Sequence, residues 1–464
     1  MRYTARGVEE LKIAYIGGGS RGWAWKLMSD LAVAGDISGR VDLYDIDYEA
    51  ACHNEIIGNK FNNAVGANTS WTYHARRTIG EALTGADFVV ISILPATFDE
   101  MESDVHTPEK YGIYQSVGDT TGPGGIIRAL RTIPMIEEIA RAVQEYCPNA
   151  WVINYTNPMA LCVKALYDIF PGIKAFGCCH EVFGVQELIA RAVREATGEE
   201  ISDHREIKTN VVGVNHFTWI TDAKYHNLDA KRIYSEFAEK NAECGIEKKD
   251  PDSTFECMHK VKFDLFRRYG AIAAAGDRHL AEFCEGSWYL KDEGQVADWG
   301  FALTPVSWRK EDLKRRLERS ERLRSGEEEV EIKNTGEDGV RQIRALLGLG
   351  DFTTNVNLPN RGQITNLPLN IIVETNACFR DDRVDPVFAG PVPEGVWQLV
   401  SRAADAQAML ARAAKERNLE LAFKAFCNDP LVNLDLDTSR RLFDEMVENT
   451  KEYLGEYLNK NKSR

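Results

Sequence analysis

A chain of 464 residues exceeds what one hydrophobic core usually organises, so two interlocked domains are expected. Its 44% hydrophobic and 27% charged residues fit an ordinary soluble globular protein. The net charge of −15 argues against a nucleic-acid partner or an anionic membrane surface, since either favours a basic face. No apolar run approaches the roughly 20 residues that span a bilayer, and no signal peptide opens the chain, so a cytoplasmic protein is expected.

The first element, residues 11–16 (Leu-Lys-Ile-Ala-Tyr-Ile), reads as a buried strand running into Gly17-Gly18-Gly19-Ser20-Arg21-Gly22. That run is a complete G-x-G-x-x-G, followed by helical periodicity over 23–34 whose N-terminal amides can receive a pyrophosphate. A second strand, 41–45, ends in Asp45, 23 positions past Gly22, where a ribose-binding carboxylate is expected. Strand, turn, helix, strand and acid in that order predict dinucleotide binding, and a carboxylate at Asp45 favours NAD over NADP by repelling a 2′-phosphate.

The parallel sheet is expected to continue through 87–92, 150–154 and 173–176, with helices at 48–64, 126–146 and 159–169. Residues 95–125 form a connection of about thirty residues, long enough to suggest a binding or lid role. It contains Gly118-Asp119-Thr120, and Arg128 and Arg131 follow at helical spacing. Asn154-Tyr155-Thr156-Asn157-Pro158 is an amide-rich turn after a strand, open equally to a binding role and to plain turn chemistry.

The strand at 173–176 runs into Gly177-Cys178-Cys179-His180-Glu181, which sets a thiol, an imidazole and a carboxylate side by side at a strand end. The other eight cysteines are scattered, with no C-x-x-C, and read as buried thiols.

Alternation of strand and helix stops near residue 200, which divides an N-terminal NAD-binding domain, 1–200, from a C-terminal substrate-binding, metal-binding and oligomerisation domain, 201–464. Residues 211–219 read as two strand segments meeting at Asn215-His216. Residues 309–333 are densely charged, as in a solvated helical face or loop. The segment 355–370 is rich in amides and turn residues, and 396–415 and 439–458 read as packing helices.

Taken together, the glycine loop, Gly118-Asp119-Thr120, Asn157-Pro158, Cys179-His180-Glu181, Asn215-His216 and residues 360–368 (Asn-Arg-Gly-Gln-Ile-Thr-Asn-Leu-Pro) resemble glycoside hydrolase family 4. That family groups NAD-dependent, usually manganese-dependent α-glycosidases and phosphoglycosidases. The resemblance spans most of the chain and implies an α/β fold: a Rossmann domain joined to a lactate-dehydrogenase-like α+β domain, in a homodimer or homotetramer. It implies Cys179 and His216 as ligands of Mn2+ or another divalent metal, His180 as general acid, and Asp119 and Asn157 as substrate contacts. Asp277 is implied as the base, with Tyr269 and His279 kept as alternatives. Gly17, Gly18, Gly19, Ser20, Arg21, Gly22 and Asp45 are the expected NAD contacts.

Phosphosugar members carry Asn or Asp after the cysteine, so His180 points to a non-phosphorylated sugar, and Glu181 resembles the α-galacturonidase branch. α-Glucuronidase, α-galactosidase and α-glucosidase activities of the same family stay open, as do a simple NAD-dependent dehydrogenase and a non-catalytic NAD-binding protein. A uronate carboxylate in a partly dry pocket needs a cationic partner. Arg278, Arg128, Arg131, Arg361 and Arg380 are available, and one or two of them are expected there.

Overall fold

The computed structural model describes residues 1–333 and 335–461. Among these, the strands are β1 (Arg2–Thr4), β2 (Gly7–Ile16), β3 (Ile37–Tyr44), β4 (Trp71–Arg76), β5 (Phe88–Ile91), β6 (Trp151–Asn154), β7 (Lys174–Gly177), β8 (Lys208–Val214), β9 (Phe217–Tyr225), β10 (Leu228–Asp229), β11 (Ile272–Ala273), β12 (Phe352–Pro359), β13 (Ile372–Arg380) and β14 (Arg383–Pro386). Ten of them form one sheet in the order β14-β13-β12-β7-β6-β5-β2-β3-β4, with β1 paired to β2. From β4 to β7 every pairing is parallel.

The parallel part is a doubly wound sheet whose strand order reverses between β2 and β5, the place where such sheets bind ligands. Its strands are apolar at nearly every position because helices cover both faces. Ile13, Tyr15, Val90 and Ile153 pack on one side with Ala24, Met28 and Leu31 of the helix Trp23–Val33. Ala14, Ile16, Val89 and Val152 face the other side, against Ile126, Leu130 and Ile133 of the helix Gly122–Tyr146. This is the two-residue period of a pleated strand buried on both faces.

A smaller antiparallel sheet holds β8, β9, β10 and β11. It is tied to the large sheet by the Asn376 amide, which donates to the Thr209 carbonyl at 2.5 Å. Alternation of strand and helix does end with the helix Glu181–Thr197. The large sheet, however, does not end there. β12 joins the edge of β7 antiparallel, and β13 and β14 extend it, so residues after 350 complete the sheet begun at residue 7.

One other expectation is revised. The connection at 95–125 is largely helical, with Phe98–His106, a 3-10 turn at Pro108–Tyr111 and a helix that already begins at Gly122. The charged stretch is, as expected, a largely solvated helix, Val306–Ser325, with only Val306, Ser320 and Leu323 buried, and Arg316 on it reaches the glycine loop.

Candidate active site

The C-terminal ends of β2, β3, β5, β6 and β7 open toward one edge, and the expected motifs sit there. After β2 the chain turns through Gly17, at φ +94°, where a Cβ would lie 2.1 Å from the Ser92 carbonyl oxygen. A Cβ on Gly19 would lie 2.6 Å from Ala50 Cβ and 2.9 Å from Asp45 Oδ2. The Gly19 amide donates to Asp45 Oδ2 at 2.8 Å, which fixes the acid over the turn. The helix Trp23–Val33 has no side-chain cap at Gly22, so its first amides stay open to an anion. This cradle fits a dinucleotide. Arg316, from the helix Val306–Ser325, reaches over it and donates to the Arg21 carbonyl at 3.4 Å.

Beside the cradle lies a cluster of charged and imidazole groups. The ligand atoms of Asp119, His216 and His279 all fall within 4.8 Å of one another. The rings of His216 and His279 stack at 4.1 Å. The Thr120 hydroxyl donates its only proton to Asp119 Oδ1 at 2.7 Å and lies 2.9 Å from His216 Nδ1. Since that proton is spent on the carboxylate, Nδ1 of His216 must carry the hydrogen and donate to Thr120. The Nε2 lone pair is then free. Burial and the neighbouring His279 push His216 down to about 3, which keeps the ring neutral. Burial pushes the Asp119 carboxyl up, but His279, His216 and Arg128 together hold it below the usual carboxylate range.

Asn157 donates to Asp119 Oδ2 at 3.2 Å, and its own Oδ1 is buried without a partner. Glu181 accepts from the Gly276 amide at 2.6 Å and stands 3.8 Å from His279 Nε2. Burial raises its carboxyl, but His279, His180 and His216 outweigh that and bring it down to about 2. His279 Nδ1 is buried with no hydrogen-bond partner. The neutral His216 imidazole and the Asp119 carboxylate oxygen, with the His279 ring stacked beside them, fit a divalent cation of borderline hardness.

The expected residues are only partly brought together. Cys179 is not one of the three converging groups. Its thiol faces Asn215, Glu374 and Glu181, and burial and the two carboxylates raise it well above the ordinary range. His180 caps the helix Glu181–Thr197, with 49% of its side chain exposed and its ring 5.8 Å from Trp23, between cradle and cluster.

Asp277, expected as the base, is instead sealed on the opposite side. It is fully buried, takes an ion pair from Lys262 at 3.0 Å and amide hydrogens from Val261 and Lys262, and lies beside Cys257 and His259. Tyr269 packs edge-on against Trp219, its hydroxyl under the influence of Cys284, Arg268 and Asp264. Of the three base candidates only His279 stands in the cluster.

Among the arginines, Arg131 is locked on Asp104 (Nη1 to Oδ1, 3.0 Å), Arg380 pairs with Asp385 at 3.0 Å and Arg361 is exposed. Arg128 donates to the Asn157 carbonyl at 3.3 Å and Arg278 lies beside the Asp119 loop, so these two remain at the site.

Sequence reasoning missed two buried acids. Glu374 receives Asn215 Nδ2 at 3.0 Å and Asn355 Nδ2 at 2.6 Å, and so orders the backbone next to His216 and Cys179. Glu282 receives the Val117 and Gly118 amides at 2.7 and 2.9 Å and shapes the turn that presents Asp119. Neither has a local motif; each is a lone acid in an apolar stretch. A cavity of about 210 Å³ between the helices Met159–Ile169 and Glu394–Glu416 holds none of these groups.

A doubly wound sheet, a dinucleotide cradle at its switch point and a polar metal-ligating cluster beside it define an enzyme of the nucleotide-binding α/β class. The chain belongs to family 4 of the glycosyl hydrolases: residues 12–195 match the family and 211–432 match its C-terminal domain. It is therefore a glycosidase that acts on a carbohydrate. It is 60% identical to an alpha-galacturonidase of Thermoanaerobacterium saccharolyticum, over 98% of both chains, and 52% identical to an alpha-galacturonidase of Bacillus subtilis, over 95% of this chain and 98% of that one. The crystal structure of the Bacillus subtilis protein lplD superposes with a TM-score of 0.91 at 52% identity, over 94% of this chain and all of the other. A 6-phospho-alpha-glucosidase from gut microorganisms, solved with NAD and glucose-6-phosphate, shares the fold at 23% identity and a TM-score of 0.79, over 96% of this chain and 99% of that one. Among the described residues no helix is long and apolar enough to cross a membrane.

Proposed function

We infer that the enzyme hydrolyses α-galacturonides with the help of NAD+ and a divalent metal such as Mn2+. The observation that carries this reading is the convergence of Asp119, Glu181, His216 and His279 beside the strand ends that carry the glycine cradle, in a chain 60% identical to an alpha-galacturonidase. When bound, NAD+ supplies a hydride acceptor for C3 of the sugar, and the metal supplies a Lewis acid for the adjacent oxygens.

The chain's own residues do the rest. His216 and Asp119 would hold the metal, with the His279 ring stacked beside them and the Cys179 thiol to one side, facing Asn215. Asn157 and Asp119 orient the sugar hydroxyls through the polar atoms they turn into the site. His279 takes the C2 proton, and the Asp119 and Glu181 carboxylates stabilise the imidazolium it becomes. What supports His279 over Asp277 is its unpartnered Nδ1, against a carboxylate already neutralised by Lys262. His180, half exposed between cradle and cluster, gives its proton to the departing C1 oxygen. Assembly as a homodimer or homotetramer in the cytoplasm completes the proposal, and sedimentation equilibrium checks the assembly.

The test is hydrolysis of p-nitrophenyl α-D-galacturonide with NAD+, Mn2+ and a thiol, each omitted in turn. Cleavage should need NAD+ and metal, exceed that of the α-galactoside, α-glucoside and α-glucuronide, and leave deuterium at C2 of product formed in D2O. NADH accumulating in step with substrate loss would instead establish a dehydrogenase.

A further inference from the structure

Arg309 sits in the first turn of the helix Val306–Ser325, where a cation opposes the helix dipole. Its guanidinium lies 5.8 Å from the centre of the Phe255 ring, and that of Arg278 lies 5.2 Å from the same ring. Arg309 Nε is buried with no hydrogen-bond partner. Arg278 is held only by neutral oxygens: Nη2 donates to the Ser116 carbonyl at 2.6 Å and to the Thr304 hydroxyl, and Nε to the Ala302 carbonyl at 3.2 Å.

Neither arginine forms an ion pair among the described residues, although elsewhere in the chain buried cations such as Arg131 and Lys262 are paired. Two neighbouring guanidiniums away from bulk water repel each other unless an anion joins them. Arg278 donates to the carbonyl of Ser116, three residues before Asp119, which places the pair beside the substrate cluster. Arg316, seven residues after Arg309 and so on the same helix face about 10 Å along, serves the glycine loop instead. The helix thus carries one arginine toward each end of the site.

Building on the α-galacturonidase reading, we propose that Arg278 and Arg309 together receive the C6 carboxylate of the sugar, and that Arg309 is the residue that selects a uronide over a neutral glycoside. A planar carboxylate presents two oxygens, and two guanidinium groups against one aromatic ring can each take one. Arg278 is fixed by its three protein contacts. Among the described residues, Arg309 Nε has no acceptor.

The test is the ratio of kcat/KM for p-nitrophenyl α-D-galacturonide to that for the α-D-galactoside, measured on the same sample so that any misfolded fraction cancels. Arg309→Gln should lower the ratio by about 10–100-fold, the worth of one charge-assisted hydrogen bond, and Arg309→Lys should recover part of it. NAD+ is titrated in parallel. An unchanged ratio in R309Q, with a wild type that prefers the uronide, overturns the role of Arg309 alone. A loss of NAD+ affinity as large as the loss on the uronide would move Arg309 to the cofactor phosphates. A wild type that prefers the galactoside, or its 6-phosphate, overturns the galacturonidase reading and this inference with it.

Discussion

Replacing Thr120 with valine tests how the metal-ligating face is set. The side chain keeps its shape but loses the hydroxyl that donates to Asp119 at 2.7 Å and accepts from His216 Nδ1 at 2.9 Å. A hydrogen bond to a carboxylate is worth about 1.5–3 kcal/mol and one between neutral partners about 0.5–1.5. Without the hydroxyl, Nδ1–H of His216 is left buried with no acceptor, and the ring gains by moving its hydrogen to Nε2, which removes the lone pair the metal needs. Partners that orient a metal-bound histidine typically govern its affinity by 10–100-fold, about 1.4–2.7 kcal/mol. Calorimetric titration of the NAD+-saturated protein with Mn2+ should show T120V weakened by that factor and T120S close to wild type. Equal Mn2+ affinity in T120V and wild type would refute the claim that Thr120 sets the tautomer.

Glu282 makes stability depend on pH. Burial pushes its carboxyl up to about 8, so the folded state holds a proton that the unfolded chain releases near 4.5. The group's contribution is therefore full below about pH 4.5 and is lost as pH rises toward 8, by a few kcal/mol in all. The thermal midpoint should fall from pH 6 to pH 8.5 and fall less in Glu282→Gln; parallel profiles would count against it. Asp277→Asn strands the buried Lys262 ammonium and should cost about 3–5 kcal/mol in denaturant unfolding. A rate loss of about 10²–10⁴ at unchanged stability would instead restore Asp277 as the base. Gly19→Ala puts a methyl 2.6 Å from Ala50 and should weaken NAD+ binding at least tenfold by fluorescence titration, while unaltered affinity would remove the loop from the cofactor site.

The glycine turn, Asp45, Asn157 and the run from Cys179 to Glu181 were legible because each follows a strand directly, and in a doubly wound sheet every strand end faces the same edge. Residues 276–279 show the limit of that logic. The segment was found, but which of its side chains serves the site depends on helical phase, about 100° per residue. The Gly276 amide and His279 turn to Glu181, Asp277 turns to Lys262 and Arg278 to Ser116. Arg309 was illegible for another reason. It lies in a helix crowded with charges, and only the packing of Phe255 and the distant Asp119 loop distinguishes it from its neighbours. Similarly, the amides of 360–368 prove to hold the backbone: Asn360 Nδ2 donates to the carbonyls of Ile364, Leu367 and Pro368, and Asn366 ties the loop to Val392.

The pairing of β12 against β7 bears on how the enzyme is made. During synthesis the edge of β7, with the Cys179-His180-Glu181 turn at its tip, is complete about 175 residues before its partner strand leaves the ribosome. Until then it offers unpaired backbone to any other strand, the exposure that leads to aggregation in open sheets. The catalytic edge is therefore closed by the longest-range strand pairing among the described residues, a slow step by the ordinary relation between contact order and folding rate. A fragment ending near residue 200 keeps every glycine of the cofactor cradle yet leaves that edge bare, so truncation there yields an aggregating chain rather than a free-standing nucleotide-binding module.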